Sequence, residues 1–488
     1  MKVNNQIVFN NLIWRFAERI GAKGITLIVS IVLARLLNPE AYGQVALVSI
    51  FLTILGVFVD SGLGNALIQK KNADEDDFTT VFYFNVVWCV VLYILLWIGA
   101  PWIAKFYNDE GLISLTRAAG LTVVISGIKN IQLAYVSKRM MFKKFFAATI
   151  GGTIFSGVLG ILMAYNGAGA WALVAQSVSN TLIDTLILWL TVKWRPQGKF
   201  KMERLKDLFS YGWKLLASSV IDTCYKNLRG LIIGRMYSSV DLAYFNKAKG
   251  WPELIVTNIN SSIDSVLLPT MSSEQDDRAR IKQMTRRAIC VSTYVMAPMM
   301  IGLFCIAPEL IKLILTEKWL PCVPYMRVFC VTYMFYPIHT ANLNAIKALG
   351  RSDLFLKLEI IKKCFGLVLL LITMWYSPLI MAYSLIISSL NSQIVNTWPN
   401  KKLLNYSYLE QIKDIIPNLL QGIVMGVCVC MVPLLNLPTL TTLIVQIIVG
   451  VVVYCIESVI LKNENLIYLW SILQPIIQRK IKRKKSGD

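Results

Sequence analysis

The chain has 488 residues, of which 56% are hydrophobic and only 16% are charged, and its mean hydropathy is +0.58. This composition excludes an ordinary soluble domain and predicts a polytopic membrane protein. The formal net charge of +21 would suit a nucleic-acid-binding protein. Most of the bases, however, lie in short loops between apolar stretches, which indicates membrane topology and no nucleic-acid partner.

Fourteen apolar segments of about 20 residues or more are predicted to span the bilayer as helices. Their ranges are 9–37, 42–68, 79–104, 112–136, 145–165, 170–192, 208–235, 242–270, 288–315, 321–346, 358–376, 379–399, 414–435 and 440–461. The N-terminal MKVNNQIVFNN has neither a basic n-region nor a cleavage site, so we expect the first span to remain as an anchor.

The first predicted span carries bases along one helical face. Arg15, Arg19 and Lys23 are spaced at i, i+4 and i+8, with Glu18 beside them. Because residues four apart lie on the same side of a helix, this face is net cationic. A charge at the centre of a membrane helix costs about 2.5–3.5 kcal/mol. We therefore predict that this face points into a polar interior rather than into lipid.

Basic residues mark every second loop between the predicted spans. They occur at Lys70–Lys71, 138–144, 193–206, 278–287, 347–357, 401–413 and from Lys462 to the end, whereas the other loops carry only Lys105, Lys312 and Lys318. The positive-inside rule then places both termini in the cytoplasm. The alternation supports an even number of spans.

The seventh span is the most informative, because its sequence LFSYGWKLLASSVIDTCYKNLRGLIIGRMY is apolar yet contains several charges. Ser218, Asp222, Lys226 and Arg229 share one helical face. Asp222 and Lys226 form an i, i+4 pair that neutralises part of the charge, and Arg229 remains in excess. Arg117 adds positive charge near another span end. An alternative is that bases at helix ends simply extend to the headgroups and the others pair structurally.

The two halves of the chain resemble each other in sequence. VLARLLNPEAYGQ matches IIGRMYSSVDLAYFN, and VDSGL matches IDSVL, which aligns Asp60 with Asp264. Arg117 and Gln132 have the same spacing as Arg327 and Asn342. An even number of spans per repeat preserves orientation, so the pattern predicts two parallel six-helix lobes with two extra C-terminal helices. Chance similarity between apolar segments is the competing explanation.

These features predict an all-α integral membrane fold with the following domains: an N-lobe at 1–192, a cytoplasmic basic linker at 193–207, a C-lobe at 208–399, additional helices at 400–461 and a basic tail at 462–488. The tail segment 464–478 resembles an interfacial helix, and RKIKRKK after it suits anionic headgroups. A simple topogenic anchor is the preferred interpretation of this basic run.

Motifs for catalysis or metal binding are missing from the sequence. There is no P-loop, H-E-x-x-H, G-x-S-x-G or Cys/His cluster, so we expect no enzyme activity, no metal and no cofactor. The ten cysteines are interpreted as reduced packing residues. The sole histidine, His339, is more simply a polar group satisfied by a carbonyl than a proton-coupling residue. Gly422 and Gly426 predict close helix packing.

Several phrases carry a resemblance to a known family: VLARLLNPEAYGQ, DSGLGNALIQKK, the stretch SYGWKLLASSVIDTCYKNLRGLIIGRMYSSVDLAYFNKAKG and NAIKALGRSD. Together they resemble Wzx-type polysaccharide flippases, in the colanic-acid-exporter-like branch of the multidrug/oligosaccharidyl-lipid/polysaccharide exporter superfamily. The resemblance covers nearly the whole chain. It identifies the family well and the substrate poorly.

The resemblance implies two six-helix lobes around a central cavity, and alternating-access transport of a polyprenyl-pyrophosphate-linked oligosaccharide across the bacterial cytoplasmic membrane. It also implies a monomer that works with membrane lipids and with polysaccharide polymerase machinery. Cavity bases of the family fall on the first and seventh helices, which here are Arg15, Arg19, Lys23, Lys226 and Arg229; Arg117 is added on charge alone. Proton or sodium coupling would use Glu18, Asp60, Asp222 and Asp264.

Three other functions remain open at this stage. A drug or metabolite exporter of the same superfamily would favour cations and would need acidic cavity residues, which the excess of bases argues against. A glycan polymerase or ligase would be expected to have large external loops, and the longest one here, around 307–321, is short and apolar. A membrane scaffold would leave the intramembrane charges unexplained.

Overall fold

The computed structural model describes residues 5–60, 62–471 and 474, and within these ranges it describes side chains from Gly21 onward, apart from that of Tyr211. Regular structure in these ranges is helical throughout. The contacts within the chain form two compact units, Met1–Ala243 and Tyr244–Asp488. Each unit is described separately below.

Eight of the described helices lie entirely in the first unit. They are α1 (Asn5–Leu36), α2 (Pro39–Asp60), α3 (Leu63–Gln69), α4 (Glu75–Tyr107), α5 (Gly111–Lys138), α6 (Phe142–Tyr165), α7 (Ala170–Thr191) and α8 (Met202–Met236). The first residues of α9 (Ser239–Ser272) also belong to this unit. Helix α8, which was expected to open the C-lobe at residue 208, packs here against α2, α3 and α4. The predicted lobe boundaries at 192 and 208 stay a prediction.

The second unit contains most of α9 and the remaining helices. They are α10 (Arg278–Ile314), α11 (Val323–Met334), α12 (Tyr336–Ala348), α13 (Ser352–Thr373), α14 (Pro378–Leu403), α15 (Tyr408–Met431) and α16 (Thr439–Ile460). Short 3-10 turns precede α11 and follow α15. Residues 464–471 are helical, as the tail prediction requires, and the rest of the predicted tail helix and the basic run lie outside the described residues.

Every predicted span has a helical counterpart, but two of them are interrupted. The second span is divided into α2 and α3 next to Gly62, whose φ of 69° lies in the left-handed region that glycine adopts without strain. The tenth span is divided into α11 and α12 at Phe335, because Pro337 has no N–H to continue the helical hydrogen bonding. Nine helical segments in the described ranges are apolar and long enough to cross a membrane, so the number fourteen remains a prediction.

The acidic beginning of α4 holds the beginning of α8 in place. Asp74 and Asp77 form a capping box at the beginning of α4. Arg204, in the first turn of α8, contacts Asp74 and lies 3.2 Å from an oxygen of Asp77. Lys201 pairs with Asp76 at 2.6 Å. These ion pairs attach the beginning of α8 to the beginning of α4.

The predicted basic linker is partly buried rather than simply solvated. Trp194 is 5% exposed and packs against Phe78, Phe82 and Tyr135 at ring-centroid distances of about 6 Å. The backbone N–H groups of Gly198 and Lys201 donate to the hydroxyls of Thr79 and Thr80. Aromatic burial and backbone hydrogen bonds therefore fix the chain as it enters α8.

Helix α8 approaches its neighbours through glycines. A Cβ on Gly62 would lie 2.8 Å from the carbonyl oxygen of Gly212, and one on Gly230 would lie 3.2 Å from Ile50. A Cβ on Gly234 would overlap Leu47 and would lie 3.0 Å from the ring of Tyr107. Small residues let helix backbones come close together, so these positions set how α8 sits on α2 and α3.

The second unit is closed by packing of α10 against α15 and α16. A Cβ on Gly422 would lie 2.9 Å from Ile301, which confirms the predicted packing role of the Gly422–Gly426 pair. The hydroxyls of Tyr294 and Tyr454 are both satisfied, because Tyr294 donates to Ser458 and Tyr454 donates to the Tyr294 carbonyl. All ten cysteines lie in the described ranges and are free thiols, as the sequence predicts.

Candidate functional site

The predicted cationic face of α1 is described only in part. Arg15, Glu18 and Arg19 belong to α1, but their side chains lie outside the described residues. Lys23, the next base along this face, is exposed. The prediction that these groups share a polar interior therefore stays a prediction.

The charged face of α8 has the predicted geometry. The Nζ atom of Lys226 lies 2.7 Å from a carboxylate oxygen of Asp222, which confirms the i, i+4 pair. The side chains of Lys226 and Asp222 are 72% and 40% exposed, so the unit does not bury them. Arg229 follows one turn later and is half-buried. The described part of this face thus carries the bases Lys226 and Arg229 and the acid Asp222.

Arg117 contacts a backbone carbonyl and an aromatic ring of the preceding helix. Its Nε donates to the carbonyl of Trp97 at 3.4 Å, and the guanidinium lies 4.5 Å from the centre of the Trp97 ring. It lines a cavity of about 430 Å³ with Tyr93 and Glu110. The contacts described for Arg117 thus involve α4 and the start of α5 rather than the α8 face. Its assignment to the substrate site remains a prediction.

The second unit repeats this arginine contact. The Nε of Arg327 donates to the carbonyl of Phe304 at 3.3 Å, and its guanidinium lies 5.1 Å from the centre of that ring. Arg117 and Arg327 are the residues that the sequence repeat aligns. The same helix-to-helix contact at aligned positions supports a structural repeat over chance similarity.

The aligned acids Asp60 and Asp264 also have matching environments. Asp60 accepts a hydrogen bond from Asn130 at 3.0 Å, and Asp264 accepts one from Asn344 at 2.7 Å. Each bond joins the helix that carries the acid to a helix later in the same unit. Asn130 and Asn344 were not singled out as partners from the sequence. An asparagine in an apolar span was the only available signal.

The aligned amides Gln132 and Asn342 are both fully buried. Gln132 donates to the carbonyl of Trp194 at 3.2 Å, and Asn342 donates to Gln411 at 2.9 Å. Gln132 is therefore bonded to the segment that follows the sixth predicted span, and Asn342 is bonded to a residue that follows the twelfth. Buried amides need such partners, because leaving one unsatisfied costs about 1–3 kcal/mol.

The sequence predicted that a carbonyl would satisfy His339, but the contacts described for it are with a hydroxyl and an amide. Its ring nitrogens lie 3.5 Å from the hydroxyl of Ser389 and 3.5 Å from the amide of Asn396. The described residues contain no group of three or more His, Cys, Asp or Glu side chains suited to a metal ion. The polar groups described here can bind and orient charged groups.

Sequence comparisons assign the family. A sequence model of the polysaccharide biosynthesis protein family matches residues 32–324. The teichuronic acid biosynthesis protein TuaB of Bacillus subtilis is 27% identical over 304 residues, which is 61% of this chain and 62% of TuaB. The succinoglycan biosynthesis transport protein ExoT of Rhizobium meliloti is 23% identical, covering 65% of this chain and 64% of ExoT. The match therefore spans less than two thirds of either relative.

The lipopolysaccharide biosynthesis protein WzxC of Escherichia coli is 22% identical, covering 70% of this chain and 69% of WzxC. Among solved structures, the lipid II flippase MurJ in an inward closed conformation has a TM-score of 0.74 at 15% identity, covering 94% of this chain and 100% of MurJ. An inward-facing multidrug MATE family transporter of the MOP superfamily has a TM-score of 0.59 at 14% identity, covering 81% and 94%.

These likenesses confirm the predicted all-α, multi-pass membrane fold. The matched region of the family model covers more than half of the chain. This chain belongs to the polysaccharide biosynthesis protein family.

Proposed function

We propose that the protein is a flippase that moves a polyprenyl-pyrophosphate-linked oligosaccharide across the cytoplasmic membrane for cell-surface polysaccharide assembly. The observation that carries the proposal is the exposed charged face of α8, with Asp222, Lys226 and Arg229, in a chain of this family. Guanidinium and ammonium groups bind phosphate oxygens with short, charge-assisted hydrogen bonds. A pyrophosphate and a polar glycan need such a wet, charged path.

The names of the relatives point in the same direction. TuaB, ExoT and WzxC are named for teichuronic acid, succinoglycan and lipopolysaccharide biosynthesis, and MurJ is a lipid II flippase. One of these names specifies transport and another specifies a flippase. Translocation of this kind breaks no covalent bond, so the proposal requires no catalytic residue. It includes the predicted monomer with both termini in the cytoplasm, and polymerase machinery as a partner.

Ion coupling forms part of the same proposal. Asp60 and Asp264 are carboxylates held by asparagine amides at matching positions of the two units. A carboxylate that exchanges one amide hydrogen bond for a proton or Na⁺ can couple ion movement to a change in helix packing. Glu18 and Asp222 are the other candidate groups. If dissipating both ion gradients leaves the flipping rate unchanged, the coupling proposal fails.

The test uses the full chain in liposomes with a polyprenyl-pyrophosphate oligosaccharide labelled on its sugar, and follows the accessibility of the label. We expect Lys226→Gln and Arg229→Gln each to slow flipping by about tenfold, the size of one charge-assisted hydrogen bond. Lys71→Gln removes an equal charge from an exposed loop residue and should leave the rate unchanged. Equal rates in all three variants would exclude the α8 face as the substrate path.

The alternative function is export of small molecules or drugs. Cationic drugs would be repelled by Arg229 and by the predicted bases of α1, so resistance to cationic drugs should not increase on expression. Increased resistance without any flipping of the labelled lipid would favour this alternative.

A further inference from the structure

A cavity of about 1150 Å³ lies in the second unit, at the end where α10 and α15 begin and α16 ends. The cavity is rich in positive charge. Its bases are Arg280, Arg286, Arg287, Lys413 and Lys462, against two acids, Asp414 and Glu464. The loops at this end are the ones whose basic residues predict the cytoplasmic side. All the lining residues lie in the second unit, whereas the α8 face lies in the first.

The acids of this cavity neutralise only part of its positive charge. Arg286 pairs with Asp414 at 2.7 Å, and Asp414 also accepts a hydrogen bond from Tyr406. Arg287 lies over the ring of Tyr468, 3.7 Å from its centre, which holds the guanidinium in place without cancelling its charge. In the described part of the chain, Arg287, Lys413 and Lys462 have no carboxylate within ion-pair distance.

A group of buried amides forms one wall of the cavity. Asn463 donates to Gln421 at 2.7 Å and to Asn418 at 3.2 Å, which ties the segment after α16 to α15. Gln421 is 3% exposed, and its Nε2 donor has no hydrogen-bond partner among the described residues. A buried donor without a partner is uncommon in native proteins. The unused donor of Gln421 is itself shielded from the solvent of the cavity, so these amides shape the wall rather than bind a ligand.

Another part of the cavity wall is apolar. Val266 of α9 is 65% exposed, and Leu267, Met284 and Val291 line the same space. A small inorganic anion would gain nothing from this apolar surface. An amphiphile with an anionic head and acyl chains would bury apolar area against it, at about 25 cal/mol per Å².

We propose that this cavity is a binding site for a phosphate group, held by Arg287, Lys413 and Lys462. The ligand would be the head group of an anionic phospholipid of the adjacent leaflet or a soluble phosphate ester, and the apolar wall favours the lipid. Phosphodiester oxygens accept charge-assisted hydrogen bonds. The site is additional to the substrate path proposed for α8 and does not depend on it.

The experiment measures lipid binding to the purified full-length protein by native mass spectrometry in a neutral detergent. Phosphatidylglycerol and phosphatidylcholine are titrated against the native protein, against Arg287→Gln/Lys413→Gln and against Lys401→Gln/Lys402→Gln. The last variant is the matched control, because it removes the same charge from exposed lysines that do not line the cavity. Melting temperatures show whether each variant is folded.

We expect the native protein and the control to prefer phosphatidylglycerol over phosphatidylcholine. The cavity variant should bind phosphatidylglycerol about 25-fold more weakly, about fivefold for each base removed. Lys462→Gln, at an exposed position, should weaken binding about fivefold and provides a second variant if the double substitution does not fold. Equal affinity for the two lipids, or the same loss in the control as in the cavity variant, would overturn the proposal.

Glycerol 3-phosphate distinguishes the two sources of the phosphate. If millimolar glycerol 3-phosphate displaces phosphatidylglycerol from the native protein, the site recognises the phosphate ester alone. If it does not, acyl chains contribute and the occupant is the lipid. Both results support the site, since each requires binding that the cavity variant loses. Neither readout depends on transport, so a failed flipping assay leaves the result interpretable.

Discussion

The ion pairs between the beginnings of α4 and α8 give a quantitative prediction for Arg204→Gln. Arg204 contacts Asp74 and Asp77, and the side chain of Asp77 is fully buried. Removing one partner of a buried ion pair costs about 3–5 kcal/mol when the remaining charge is left uncompensated. Asp77 keeps a second partner, because Lys70 lies 2.7 Å away. The half-exposed Asp74 contributes less than about 1 kcal/mol.

We therefore expect Arg204→Gln to cost about 2 kcal/mol, the value of one hydrogen bond to a charged group. For a unit of this size, that corresponds to a fall in melting temperature of about 4–8 °C. Lys201→Gln is the matched control, since it breaks only the exposed pair with Asp76 and should cost about 0.5 kcal/mol. Both variants remove one positive charge from the same linker, so a general charge effect would act on both equally.

The assay follows the reaction of cysteine thiols with a fluorogenic maleimide while the purified protein is heated. Cys89 and Cys322 are fully buried and become reactive only when the surrounding helices open. Exposed thiols such as Cys224 react at once and set the baseline. If Arg204→Gln and Lys201→Gln melt at the same temperature, the buried Asp77 does not depend on Arg204 and the reasoning is refuted.

Two further predictions concern the same unit. The hydrogen bond from Arg204 lowers the pKa of Asp74 from 3.8 to about 2, so the bond stabilises the protein above about pH 4 and is lost as the pH falls toward 2. The difference in melting temperature between the native protein and Asp74→Asn should therefore be constant from about pH 8 to 5 and shrink below about pH 4. A difference that grows on acidification would contradict the stabilising role of the Asp74 carboxylate. Gly43→Ala would place a methyl group against the backbone carbonyl of Ser239 and should lower the melting temperature by several degrees, at about 2–4 °C per kcal/mol. Gly56→Ala is the control, because its methyl group would meet no atom and should not change the melting temperature. Equal melting temperatures of the two variants would refute the close contact.

The sequence was sufficient for the features that depend on local pattern. Apolar length located a helix for every predicted span, and helical spacing predicted the Asp222–Lys226 pair that the structure contains. The aligned repeat predicted Arg117 and Arg327 as equivalent, and their contacts with Trp97 and Phe304 agree. In these cases the physical cause lies within a few residues or in a repeated motif.

Features that depend on distant parts of the chain were not predicted. The high charge of the linker concealed the burial of Trp194, which follows from aromatic partners more than 50 residues away. Asn130 was not linked to Asp60, because only the packing of α2 against α5 brings them together. The break between α11 and α12 at Phe335 has a local cause in Pro337. It was not predicted, because the apolar composition of the whole segment indicated one continuous span.

In α8, the residues that fix the position of the helix differ from the residues that carry its exposed charges. Gly212 lies before Asp222 and Lys226 in the helix, and Gly230 and Gly234 lie after them. The two charged side chains are 40% and 72% exposed. Substitutions at the glycines would shift the whole helix, whereas substitutions at the charged positions need not move it. The charges of α8 can thus change by point substitution while the glycine contacts keep the helix in place.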